Sequence, residues 1–132
     1  MMGQALTKIL YVEDDLDIQA VAKIALELVG GLTLLTCSSG KEALATATEQ
    51  FAPDLMLLDV MMPEMDGPTT LKHLREWPSM ADTPVIFMTA KVQVSEVAYY
   101  KSLGAIGVIA KPFDPMQLAE QVRQLYNGIP SK

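Results

Sequence analysis

Short runs of uninterrupted apolar residues alternate with amphipathic helical patterns along this chain, and that alternation restricts the fold more than any other feature. Ile9–Val12 is the first run, followed by Leu32–Cys37, Leu55–Leu58, Val85–Met88 and Val108–Ala110. The runs are too short for helices and too continuously apolar for strands with one wet face. They predict strands covered on both faces. After the first run, Ile18, Val21, Ala22, Ala25, Leu28 and Val29 recur at helical spacing, and Gly30-Gly31 stops that helix. Ser39-Gly40-Lys41-Glu42 has the form of a capping box, opening a helix with Ala43, Leu44 and Ala47 inward, which Pro53 closes. Asp59 through Gly67 reads as a loop with Pro63 and Asp66-Gly67 as turn residues, and Pro68 starts a third helix with Leu71 and Leu74 inward, ended by Pro78. A fourth helix is expected from about Ser95 to Leu103, stopped by Gly104. Asp114-Pro115 reads as the cap and first residue of a fifth, whose inner face is Leu118, Ala119, Val122, Leu125 and Tyr126.

Five strand–helix units in order predict an α/β fold: a doubly wound parallel sheet with helices on both faces. The 132 residues suit a single domain over residues 1–132, with its core at about 8–126. The fold class, rather than any one residue, supplies the expected flavodoxin-like strand order 2-1-3-4-5. In such sheets the working site lies beyond the carboxyl ends of the strands, where strands 1 and 3 adjoin.

Sixteen Asp and Glu against ten Lys and Arg leave a net charge of −6. That balance disfavours nucleic acid or an anionic membrane as a direct partner. A lone cysteine, Cys37, excludes an internal disulfide and reads as a buried thiol. A lone histidine, His73, excludes a zinc site built on several histidines. No uncharged apolar stretch approaches the ~20 residues that span a bilayer, and the N-terminus does not have the form of a signal peptide. The expected setting is soluble and cytoplasmic.

The residues at the strand ends carry the chemistry. Glu13 and Asp14 follow the first run, Asp59 the third, Thr89 and Ala90 the fourth, and Lys111 and Pro112 the fifth. Each has an ordinary reading alone: helix cap, Asx-turn, strand-end hydroxyl, solvated loop lysine. Together they bring three carboxylates, a hydroxyl and an ammonium to one rim. Clustered carboxylates call for a cation, and oxygen-only ligands suit a hard divalent ion such as Mg²⁺. Donors beside them can hold anionic oxygens, so the set suits phosphoryl transfer onto a carboxylate.

At these residues the sequence resembles the receiver domains of two-component response regulators, of the stand-alone, chemotaxis-regulator-like kind. The resemblance covers Ile9-Leu10-Tyr11-Val12-Glu13-Asp14-Asp15, the stretch from Asp54 to Gly67, Pro84-Val85-Ile86-Phe87-Met88-Thr89-Ala90, Gly104-Ala105 and Lys111-Pro112-Phe113. It implies that Asp59 accepts a phosphoryl group from a histidine kinase or a histidine phosphotransfer protein. It implies that Asp14 and Asp59 ligate Mg²⁺ directly, Glu13 through water, and Met61 through its backbone carbonyl. Thr89 would hydrogen-bond the phosphoryl group and Lys111 would pair with it. The Lys111–Pro112 bond is often cis in this family, which would aim the lysine. Asp15 is expected to cap the first helix.

The resemblance also implies a protein that catalyses only its own phosphorylation and dephosphorylation, with no outside substrate. Output is expected as a protein contact through the fourth helix, fifth strand and fifth helix. Around that fourth helix, Tyr99 and Tyr100 point about 100° apart, so at least one is expected to be partly exposed. One position departs from the family: three residues before Lys111, where an aromatic ring is usual, stands Val108. The positions that modulate hydrolysis carry Met61 and Lys91, implying an unusual phosphoryl lifetime. The short segment after Tyr126 favours a stand-alone receiver over a fragment of a larger regulator or hybrid kinase. A docking-only pseudo-receiver is the remaining alternative within the family. An aspartate-nucleophile phosphatase would need an acid where Met61 stands, and a flavin carrier would need a phosphate-cradling loop where Glu13, Asp14, Asp15 and Asp17 stand.

Overall fold

The computed structural model describes residues 5–46 and 51–129. Its strands are β1 (Lys8–Val12), β2 (Thr33–Cys37), β3 (Leu55–Asp59), β4 (Val85–Thr89) and β5 (Ala105–Ala110). Its helices are α1 (Leu16–Lys23, continued by a π-helical turn over Ile24–Val29), α2 (Gly40–Thr46), α3 (Gly67–Leu74), α4 (Val94–Ser102) and α5 (Leu118–Asn127). The strands form one parallel sheet in the order 2-1-3-4-5.

Continuous apolarity has the expected consequence in the three central strands, whereas the edge strand β2 is fully buried only at Cys37 and the edge strand β5 only at alternate residues. Every residue of β3 and β4 is buried, as is β1 from Ile9 onward. Alternate residues feed two separate cores. Leu10, Val12, Met56, Leu58 and Phe87 pack with Leu71, Leu74 and Tyr100 from α3 and α4. Ile9, Tyr11, Leu55, Leu57 and Met88 pack with Ala22, Leu26, Leu118 and Val122 from α1 and α5. Cys37 is buried, as expected, with its sulfur 3.2 Å from the Thr46 hydroxyl.

Four sequence expectations need correction. Helical spacing carries the inner face of α1 through Leu28 and Val29, yet Leu28 is 79% exposed and Leu26 is fully buried. The cause is the π-helical turn, in which the Gly30 amide bonds to the Ala25 carbonyl at 3.1 Å. A wider turn rotates the following side chains off the 3.6-residue stripe. The third helix ends at Leu74, and Pro78 begins a separate 3₁₀ turn over Pro78–Met80 rather than closing the helix. β5 begins at Ala105, not Val108, with an irregularity in its pairing opposite Val85 and Ile86. Its small residues are strand residues under a helix: a Cβ on Gly107 would lie 2.6 Å from Leu125 Cδ2. Finally, Asp114-Pro115 does not open α5. The Asp114 carboxylate accepts the Met116 amide at 2.9 Å, making an Asx-type turn, and the helix starts at Leu118. Ala47 lies outside the described residues.

Candidate functional site

Each strand of the central three delivers its last residues to the same edge, because parallel pairing aligns their carboxyl ends. Val12 pairs with Leu58, and Asp59 with Met88, so Glu13 and Asp59 leave neighbouring strands at one level. Side-chain oxygens of Glu13, Asp14 and Asp59 come within 4.8 Å of one another. Glu13 is fully buried, Asp59 nearly so and Asp14 half-buried.

Lys111 enters from the end of β5. Its Nζ lies 2.9 Å from Glu13 Oε1 and 3.0 Å from Asp59 Oδ1. The peptide bond joining it to Pro112 is cis. The second oxygen of Glu13 accepts the Asp15 amide at 3.2 Å. Asp15 also caps α1, accepting the Asp17 and Ile18 amides at 2.9 and 3.1 Å. Asp15 thus serves the helix start, as expected.

Two further contacts hold the loops that frame the cluster. The Gln19 side-chain amide donates to the Glu13 carbonyl at 3.0 Å, tying α1 to the end of β1. Gly67 packs against the turn after β3, donating its amide to the Val60 carbonyl at 2.9 Å. A Cβ there would meet the Asp59 carbonyl oxygen at 2.4 Å, so only glycine allows this close approach. Asp66 caps α3 by accepting the Thr69 amide at 2.9 Å. The Asp-Gly pair, readable as a turn in sequence, is also the brace behind Asp59.

The electrostatics are set by burial. Desolvation pushes the Asp59 carboxyl up to about 7; Lys111 opposes the rise and Glu13 adds to it. Burial alone would lower the Lys111 ammonium, but Glu13 and Asp59 outweigh it and raise the group above its ordinary value. Tyr11, on β1 two residues before Glu13, holds a buried hydroxyl without a hydrogen-bond partner among the described residues. Burial, then the Glu13 and Asp59 charges, raises that phenol. One lysine among three clustered carboxylates leaves negative charge unmet, and all the available ligand atoms are hard oxygens. The donor set therefore fits a hard divalent cation such as Mg²⁺.

Thr89, the last residue of β4, is buried at the same edge, and its Oγ1 accepts the Lys91 amide at 3.0 Å. Met61, just beyond Asp59, exposes its side chain beside the site. The structure thus gathers Glu13, Asp14, Asp59, Thr89 and Lys111 at one end of the sheet. Gln19 joins them without having stood out in the sequence, and Gly67, readable there only as a turn residue, joins them as the brace behind Asp59. A polar residue one turn into α1 and a glycine after an aspartate are each too common to signal this role.

The profile of the response regulator receiver domain matches residues 9–123. The chain belongs to the response regulator receiver domain family. It is 34% identical over 120 residues to response regulator SaeR of Staphylococcus aureus, covering 91% of this chain and 50% of that protein. This receiver spans about half the length of the curated relatives it matches. Among solved structures it resembles chemotaxis protein CheY4 of Vibrio cholerae, with a TM-score of 0.82 and 30% identity over 92% of this chain and 99% of that one. The HemR receiver domain of Leptospira biflexa gives a TM-score of 0.80 at 25% identity, over 96% and 98% of the two chains. As a receiver domain the chain is a signalling module of two-component systems. Among the described residues, no helix is long and apolar enough to cross a membrane.

Proposed function

We propose that this receiver accepts a phosphoryl group on Asp59 from the phosphohistidine of a histidine kinase or a histidine phosphotransfer protein. The observation that carries the reading is the Lys111 ammonium bridging Glu13 and Asp59 at 2.9 and 3.0 Å. It holds a buried carboxylate at the edge of the sheet and presents a cation where phosphoryl oxygens would arrive. An Asp59 oxygen attacks phosphorus, the phosphorus–nitrogen bond breaks, and the imidazole departs with the electron pair. Lys111 and the Thr89 hydroxyl then hold the transferred oxygens. Glu13, Asp14, Asp59 and the Met61 backbone carbonyl would hold Mg²⁺, which offsets the charge gathered at the site. Turnover is confined to the protein's own phosphorylation and dephosphorylation.

A groove of about 270 Å³ adjoins Lys111, lined by Asp17, Ile18, Val21, Pro112 and Phe113. Its apolar wall beside the acceptor suits the helical face of a phosphohistidine donor, and such a donor implies a cytoplasmic setting. Downstream, the α4–β5–α5 face is the proposed contact with the protein that reads the signal. Val94 and Tyr99 are exposed on α4.

Acetyl phosphate labelling followed by intact mass tests the reading. One labile phosphoryl group is expected, dependent on Mg²⁺ and absent from Asp59→Asn. If no adduct forms with Mg²⁺ present, Asp59 is not a self-sufficient acceptor, which leaves either strict dependence on a cognate kinase or a docking-only receiver.

A further inference from the structure

Five of the eleven large apolar side chains exposed among the described residues lie on α1 and its π-helical continuation: Leu16, Val21, Ile24, Leu28 and Val29. The π-helical turn gathers four of them into one strip. Its wider winding brings Leu28 and Val29 round to stand one turn beyond Ile24, while Ala20 and Val21, also exposed, stand one turn before it. The strip therefore reads nearly the same from either end, with two apolar residues on each side of Ile24.

The charges beside the strip share that property. Lys23 is exposed and Glu27 half-buried, and neither makes an ion pair among the described residues. A two-fold axis crossing the helix just after Ile24 sets Val21 of one copy opposite Leu28 of the other. The same axis brings Lys23 of each copy within reach of Glu27 of the other, so the contact is satisfied twice. Asp17, at the opposite end of α1, then falls past the end of the facing helix and outside the paired span.

A phosphoryl donor accounts for only part of this face. α1 begins at the site edge and runs away from it, so Leu28 lies roughly 15 Å farther along the helix than Asp17. A donor docked beside Lys111 covers Ile18, Val21 and Phe113 and leaves Ile24, Leu28 and Val29 in water. A second copy covers them. The few turns that pair bury less than the roughly 800 Å² per partner of a standard stable interface, so the dimer is weak and exchanges with monomer.

We propose that this face of α1 binds a second copy of the chain, the two helices antiparallel about an axis next to Ile24, with Lys23 and Glu27 paired across it. The pairing is independent of the reading of Asp59 as the acceptor.

Sedimentation velocity of the whole chain tests it, in chelator and without phosphoryl donor, from low micromolar to near-millimolar protein. The weight-average mass is expected to rise from monomer toward dimer. Ile24→Asp sets two carboxylates beside the axis and should weaken association by about tenfold or more. Charge reversal separates this interface from a merely sticky surface. Lys23→Glu alone and Glu27→Lys alone each oppose like charges across the axis, and each should weaken association by about fivefold or more. Mixed in equal amounts, the two variants regain both ion pairs and should associate about as tightly as the unsubstituted chain. Recovery in the mixture also shows that both variants are folded. A monomer at every concentration overturns the proposal and leaves the face to a partner of another kind. So does a dimer that Ile24→Asp leaves unchanged, or a mixture that associates no better than either variant alone.

Discussion

Lys111 Nζ lies 3.0 Å from Asp59 Oδ1 across 52 residues of sequence. The same ammonium lies 2.9 Å from Glu13 Oε1, and little of any of the three side chains is exposed. Removing the shared cation leaves two buried carboxylates without compensation. Breaking a buried pair by deleting one partner costs about 3 kcal/mol or more. Lys111→Met should therefore lose about that much stability in chelator and recover a larger share than the unsubstituted protein when Mg²⁺ is added. Urea unfolding with and without Mg²⁺ measures both.

Asp59 titrates at about 7 rather than 3.8, chiefly because burial disfavours its charge. The folded state therefore holds this proton more tightly than the unfolded state does. Stability drawn from the neutral carboxyl is fully present below pH 4 and is lost as pH rises toward 7. Asp59→Asn has no such loss. In chelator its stability should match that of the unsubstituted protein near pH 4 and exceed it above pH 7, by up to about 4 kcal/mol. Denaturant midpoints across this range decide the matter; a constant difference would show that Asp59 ionises as an ordinary carboxyl.

Gly67→Ala places a Cβ 2.4 Å from the Asp59 carbonyl oxygen, a backbone atom that cannot swing away. The turn after β3 must shift, at a cost of roughly 1–3 kcal/mol as for other overpacked sites. Because the displaced segment carries the acceptor, acetyl phosphate labelling should slow as well. Thermal melts and intact-mass time courses read the two effects separately.

The π-helical turn after α1 reverses which leucine matters. Leu26 is fully buried and Leu28 is 79% exposed. Leu26→Ala should cost about 3 kcal/mol and Leu28→Ala no more than about 0.5 kcal/mol. Chemical denaturation of the pair is a direct check, since uniform 3.6-residue spacing predicts the opposite ranking.

Val108→Tyr introduces a second ring beside Phe87, where Tyr100 already packs. It should destabilise by about 1–3 kcal/mol through overpacking. Adding Tyr100→Ala should return part of the loss, with a coupling of at least about 0.5 kcal/mol in the double-mutant cycle. Additive effects would mean that the two positions do not share space.

Some of this protein is written into local sequence. Burial on both faces leaves β1, β3 and β4 continuously apolar, so Ile9–Val12, Leu55–Leu58 and Val85–Met88 are readable as strands without any partner in view. Parallel strands run in one direction, so the residues at their carboxyl ends reach one edge of the sheet. That is why Glu13, Asp14, Asp59, Thr89 and Lys111 can be grouped before any distance is known. The cap at Asp15 and the turn at Asp66 are legible for a similar reason: their bonds reach amides only two or three residues ahead.

Other features have no local signal. The fifth apolar run reads as starting at Val108, yet β5 begins at Ala105 and includes Gly107, where a Cβ would run into Leu125 of α5. Asp114-Pro115 has the chemistry of a helix start, but the Asp114 side chain closes its own turn and delays α5 to Leu118. Tyr99 and Tyr100 look alike in sequence; which one is buried is decided by Phe87 across the interface with β4. The sequence by itself determined the order of elements and the edge of the sheet where the charged residues meet, because periodicity and strand direction are properties of consecutive residues. Only the tertiary structure decided that Lys111 bridges Glu13 and Asp59 and that a ring from α4 packs against Phe87, because those contacts depend on how closely distant segments approach.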